Sequence, residues 1–291
     1  MAHYKKQHFL SQFYLKGFSR PNPHPKSKGC QNWFYDIIKR KICFQEPHNF
    51  AFRHYMYSKI SKDGSYDPSL EKYFSRLENK MKVLFNKIDN NIFAIRNNKE
   101  IMQFDNSEKE LLIQFLFWNI KKNPSMKKKI EKMILNKIVN DDSLLVSEKD
   151  FDNIKIFIQN TTVDLIKNLG DEEEEKIMNI LLNKNVFFFY LSNDESSFIT
   201  IDNPIVIFNQ SNLDGIIYEN TEIYFPLNSR CLIWLFETGR KFIFKKMPNR
   251  KKLFELNVYI AKKAKELIIS RDKKYLLKII KKLKYPITNH T

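Results

Sequence analysis

Between Leu70 and Ile88 apolar residues recur on one stripe, at Leu70, Tyr73, Phe74, Leu77, Met81, Leu84, Phe85 and Ile88. This spacing fits a helix with one buried face and does not fit a strand. Asp67-Pro68 supplies an N-cap and a proline for the first turn. Further on, Ser107 and Glu110 form a capping-box pattern ahead of Leu111–Ile120, which is apolar nearly all round and so predicts a helix enclosed by the rest of the protein. That helix stops near Asn123-Pro124. More helices are predicted over Ser125–Val139, Glu148–Asn168 before Gly170, and Asp171–Leu182. The acidic string Asp171 to Glu175 suits the positive end of the helix dipole.

On either side of this helical stretch the texture is that of short strands. Toward the N-terminus, a helix over His8–Lys16 closes at Gly17 and meets a loop spaced by Pro21, Pro23 and Pro25. A hairpin follows, from Trp33–Ile38 and Lys41–Phe44, with Phe52–Tyr57 as a further extended segment. Beyond the helices, strands are predicted at Val186–Leu191, Ser197–Ile201, Ile205–Phe208, Ile216–Tyr218, Glu222–Phe225, Cys231–Phe236 and Lys241–Phe244. Helices return at Lys251–Ser270 and Asp272–Leu283. The pattern implies an α+β fold: a central helical bundle packed on a mixed or antiparallel sheet, with an N-terminal hairpin and basic C-terminal helices. The expected organisation is one domain over 1–291, divided into 1–66 (helix and hairpin), 67–184 (helical core), 185–250 (sheet) and 251–291 (basic helical tail).

A 43% hydrophobic content with 25 phenylalanines supplies ample core and argues against intrinsic disorder. The opening Met-Ala-His-Tyr-Lys-Lys lacks an apolar signal region, and no apolar run is long enough for a membrane span, so a cytoplasmic protein with no membrane partner is expected. Cys30, Cys43 and Cys231 are odd in number and have no C-x-x-C pairing, which points to reduced thiols and away from a zinc knuckle.

The formal net charge is +17, and residues 241–291 carry 16 Lys+Arg against 3 Asp+Glu. Such an excess attracts nucleic acid or an acidic partner protein. The same lysine-rich composition, alongside much Asn, Ile and Phe, also arises without selection for binding. Lys262, Lys263, Lys265, Arg271, Lys273 and Lys274 are the candidate phosphate contacts. Nothing in the residues sets an oligomeric state.

Several polar groups stand in apolar surroundings. His8 and Gln12, four apart, would share a helix face and either bind phosphate and move a proton or tie down the helix through backbone bonds. Glu71 and Glu78 flank the apolar stripe and need a cation, metal or donor as partner. Gln114, among Leu111, Ile113, Phe115 and Phe117, needs a hydrogen-bonding partner. Asp202-Asn203-Pro204 ends a strand at a tight turn, a seat for a metal ligand or general base, or for an aspartate that merely bonds the backbone.

Four ordered strings carry a resemblance. His8-Phe-Leu-Ser-Gln-Phe-Tyr-Leu-Lys-Gly-Phe-Ser resembles the H-Y-x-P-Q-F-Y-L-x-x-F-S opening of the family called domain of unknown function 4238. Trp33-Phe-Tyr-Asp36 is similar to its V-W-V-Y-D strand, Leu70-Glu71 through Glu78 to its L-E-x-x-x-x-x-x-E helix, and Phe198-Ile-Thr-Ile-Asp202-Asn-Pro204 to its F-I-T-S-D-N-P turn. Three departures stand out: Ser11 for the usual proline, Ile201 for the usual serine, and Lys121-Lys122-Asn123-Pro124 where an arginine before T-P is usual. The resemblance implies motif positions and no reaction.

If these groups converge in a cleft, the expected activity is metal-assisted phosphodiester hydrolysis. His8, Gln12 and Asp202 would be catalytic, Glu71, Glu78 and Asp202 would hold Mg²⁺ or Mn²⁺, and Gln114 and Asn203 would complete the polar lining. A nuclease of this kind would suit a toxic effector in phage defence, although no residue requires it. The alternative is a non-catalytic protein whose basic face binds nucleic acid or another protein.

Overall fold

The computed structural model describes residues 5–21, 29–140, 150–167, 171–192, 196–208 and 221–287. Pro23 and Pro25, the expected strand Ile216–Tyr218, and both ends of the expected helix Glu148–Asn168 lie outside them. The first part of the chain runs β1 (Lys6–His8), α1 (Gln12–Lys16), β2 (Arg20–Pro21), β3 (Cys30–Asp36), β4 (Lys41–Gln45), β5 (Phe52–His54), β6 (Lys59–Ile60) and β7 (Tyr66–Asp67). Five helices follow: α2 (Ser69–Arg96), α3 (Asn106–Lys121), α4 (Pro124–Val139), α5 (Phe151–Lys167) and α6 (Asp171–Leu182). The last part runs β8 (Lys184–Tyr190), β9 (Thr200–Ile201), β10 (Val206–Phe208), β11 (Glu222–Asn228), β12 (Cys231–Thr238), β13 (Phe242–Lys246), α7 (Arg250–Lys262), β14 (Leu267–Ser270) and α8 (Lys273–Leu283). The fold class is α+β.

One sheet has the order β10-β11-β12-β8-β13; its pairings are antiparallel except β13 on β8, which makes it mixed. A second, antiparallel sheet runs β2-β3-β14-β9, with β4 on β3. α1 bridges the two. The Tyr14 hydroxyl donates to the carbonyl of Pro226 on β11 (2.7 Å) and pairs with Thr200 Oγ1 on β9 (2.7 Å). Phe115 on α3 joins the layers from within, its ring 6.0 Å from Phe13, 5.8 Å from Phe85 and 6.0 Å from Phe225. The buried stripe of α2, the enclosed faces of α3 and the inner faces of both sheets belong to one continuous apolar cluster.

Four sequence expectations are corrected. His8 ends strand β1, not a helix, because residues 6–8 pair antiparallel with β5 and the helix starts only after the extended N-cap Ser11. The capping box of α3 uses Asp105 and Glu108 instead of Ser107 and Glu110. Tyr73, counted on the buried stripe of α2, is 36% exposed at its edge. Most consequentially, the expected helix Lys251–Ser270 ends at Lys262, and Leu267–Ser270 is a strand interior to the second sheet. The C-terminal region is thus woven into the N-terminal hairpin and is not a helical tail.

A buried polar junction and a cationic pocket

The enclosed helix α3 cannot continue past Asn123, since Pro124 follows; Asn123 instead caps α4, its Oδ1 accepting from the Ser125 amide (2.7 Å) and hydroxyl (2.6 Å). The α3–α4 junction therefore places Lys122, only 5% exposed, deep against α2. Its Nζ lies 2.8 Å from Glu78 Oε1 and 4.8 Å above the Phe74 ring. The Lys122 charge is thus turned inward to Glu78. The Tyr57 hydroxyl donates to the Lys122 carbonyl, and the Tyr57 amide donates to Gln7 Oε1 (2.6 Å).

Glu71 and His8 also face this ammonium. Burial raises the Glu71 carboxyl above its ordinary range, Lys122 opposing the shift and Glu78 adding to it, and its Oε2 is buried without a hydrogen-bond partner. Burial, helped by Lys122, pushes the His8 imidazole down to about 4, against hydrogen bonds to the backbone of Pro47 and His48. His8 is therefore neutral at pH 7, with a buried, unpartnered Nε2.

The Asp202 corner adjoins the same junction, because Asn123 Nδ2 donates to the Asp202 carbonyl (3.2 Å). The carboxylate, however, faces away. Asp202 Oδ1 accepts the backbone N–H groups of Lys265, Glu266 and Leu267 at 2.9, 3.0 and 3.1 Å. Burial raises this carboxyl, and the three amides oppose the rise. Asp202 is a clamp on the turn between α7 and β14, the backbone-bonding alternative. Among the described residues no three His, Cys, Asp or Glu side chains are grouped to hold a metal. The expected set of Glu71, Glu78 and Asp202 does not fit Mg²⁺ or Mn²⁺.

The other candidates scatter. Gln12 is exposed on α1 and shares no helix face with His8. Gln114 is half-buried, and its Nε2 reaches the Tyr73 hydroxyl at 3.2 Å. Asn203 keeps a buried, unpartnered Oδ1 beside an open hollow of about 610 Å³ that Lys128, Lys129, Lys132 and Lys265 also line.

The six basic candidates divide as well. Lys273 sits over the Trp33 ring (4.9 Å), Lys263 over Tyr259 (5.6 Å), and Lys262 is exposed at the end of α7. Only Arg271 and Lys274 share a concave site, a pocket of about 400 Å³ also lined by Arg20, Arg230, Lys278, Asp272 and Tyr275. Asp272 organises its wall. One carboxylate oxygen caps α8 by accepting the Tyr275 amide (2.8 Å), and the other binds the Arg20 guanidinium.

Sequence reading missed Lys122, Tyr57, Arg20, Arg230 and Lys278. For Lys122 a signal existed: a cation closing an otherwise apolar helix must find an anion. For the two arginines none did, because they come from β2 and the turn before β12, far from Arg271 in sequence.

A family model of proteins of unknown function (DUF4238) matches residues 6–274. The chain belongs to that family. Comparison with curated proteins gave no match, and comparison with solved structures gave none. Among the described residues no helix is long and apolar enough to cross a membrane.

Proposed function

We propose that this protein acts on nucleic acid by gripping phosphate in the pocket at the start of α8. One observation carries the reading: five cationic side chains, Arg20, Arg230, Arg271, Lys274 and Lys278, surround about 400 Å³ against a single carboxylate, Asp272. Guanidinium forks match phosphate oxygens, and the positive end of α8 adds to the field. The formal charge of +17 supports capture from a distance. The test is binding of single-stranded DNA and RNA between about 50 and 200 mM salt. Affinity should fall steeply with salt. Arg271→Glu with Lys274→Glu should weaken binding at least tenfold and flatten the salt slope, by about one unit for each phosphate no longer neutralised. Binding indifferent to the reversal would remove the reading.

A second reading, phosphodiester cleavage by an effector of the kind phage defence uses, is favoured by the buried junction. A neutral His8 with an unpartnered Nε2 and a Glu71 whose carboxyl burial raises above its ordinary range are the candidate base and acid. Incubation with RNA, single-stranded DNA and plasmid, with Mg²⁺, Mn²⁺ or EDTA, tests it. Loss of cleavage in folded His8→Ala supports it, and no cleavage under any condition ends it.

A further inference from the structure

We infer that the α8 pocket takes a terminal phosphate monoester, the phosphorylated end of a strand or a nucleotide, in preference to an internal phosphodiester. The inference rests on the phosphate-gripping reading and narrows it.

Size is the first argument. At about 400 Å³ the pocket lies at the small end of ligand clefts, so it suits one nucleotide-sized group better than a length of backbone. Charge is the second. The lining carries five cations and one carboxylate. An internal diester offers one negative charge on two free oxygens, whereas a monoester carries about −1.5 to −2 at neutral pH and three acceptor oxygens. Three guanidiniums and two ammonium groups match the larger charge and the extra oxygen.

The support beneath the pocket is the third argument. Asn257, fully buried on α7, is fixed by accepting the Ile199 amide (3.2 Å) and donating to the Ser197 carbonyl (2.9 Å). Its Nδ2 also donates to the Tyr275 hydroxyl (3.0 Å), which leaves that hydroxyl's own proton as a donor on the pocket wall. Burial raises the Tyr275 phenol, so it stays protonated. Asp272, which caps the same turn of α8, also holds Arg20 in place. Arg20 and the Tyr275 hydroxyl are thus held in place before a ligand arrives, which lowers the ordering cost of binding.

The experiment compares one labelled single-stranded oligonucleotide carrying a 5′-phosphate, a 3′-phosphate or hydroxyl at both ends, by fluorescence anisotropy. Competition with a nucleoside monophosphate and with inorganic phosphate completes the set. A phosphorylated end should bind about tenfold tighter than the hydroxyl-ended strand, as expected for added charge-assisted contacts. Arg271→Ala should abolish that difference, and Tyr275→Phe, which keeps the ring and removes one donor, should reduce it. Equal affinity for all three ends, with weaker binding in Arg271→Ala, would overturn end recognition and uphold the broader nucleic-acid reading. Binding of nucleoside monophosphate or inorganic phosphate with no strand bound would uphold the monoester pocket and overturn the nucleic-acid reading. Failure of every probe would overturn both.

Discussion

Lys122 Nζ lies 2.8 Å from Glu78 Oε1, with 6% of the lysine side chain and 22% of the glutamate exposed to solvent. Breaking such a pair leaves a charge without its partner in a poorly hydrated place. Lys122→Met should cost about 3 kcal/mol in urea denaturation, the lower end of the buried-pair range because Glu78 reaches water. The double variant with Glu78→Gln should lose less than the two single losses summed. Additive losses would mean the two charges do not interact.

His8 makes stability depend on pH. Its folded pKa, about 4, lies below the ordinary 6.5, so the unfolded chain binds more protons between these values. The stabilisation is complete above pH 6.5 and lost as pH falls toward 4. The raised carboxyls of Glu71 and Asp202 work in the opposite sense, gaining relative stability on acidification. Comparing wild type with His8→Phe cancels their part. Wild type should lose about 2–3 kcal/mol more than the variant between pH 7 and 4. Parallel curves would show that His8 titrates normally.

Asp202 should behave as a structural residue. Asp202→Ala takes the acceptor from three amides, of which that of Leu267 is buried and the other two partly so, and should cost about 2 kcal/mol, while Asp202→Asn keeps an acceptor at the same place and should cost about 1 kcal/mol. Thermal unfolding of both variants checks the order. If the alanine variant melts like wild type, the clamp is not holding the α7–β14 turn.

Gly17 has an ordinary right-handed φ of −62°, so an alanine there meets no backbone strain. The obstacle is space, since an added Cβ would stand 2.8 Å from Asn228 Cβ. Gly17→Ala should destabilise by about 1–3 kcal/mol through overpacking. Asn228→Gly in the same background should restore part of the loss. A Gly17→Ala protein as stable as wild type would show that α1 can move away from β11.

The helices were legible where burial writes a period into the sequence. The α2 stripe is of this kind, and Pro124 marks the start of α4 to within one residue. At α3, Asp105-x-x-Glu108 and Ser107-x-x-Glu110 are equally good boxes; packing chooses the first, because Phe104 stacks on Phe242 of β13 (4.6 Å). Leu267-Ile-Ile-Ser270 has no period of its own and reads as the end of α7. Only its partners on both sides, Trp33–Asp36 and Thr200–Ile201, make it a strand. The same limit applied to the sites. The junction was foreseeable because the carboxylates of α2 visibly lacked partners, although Asp202 turned its own carboxylate elsewhere. The α8 pocket draws on Arg20, Arg230 and Arg271, distant positions that local patterns do not bring together.

The place of β14 between β3 and β9 sets a timetable for synthesis. The hairpin of β3 and β4 must wait, with one edge open, for a strand translated long after it. Arg271 follows directly on that strand, so the cationic pocket at α8 can assemble only once this sheet pairing is made, and until then the nascent chain carries it unfinished.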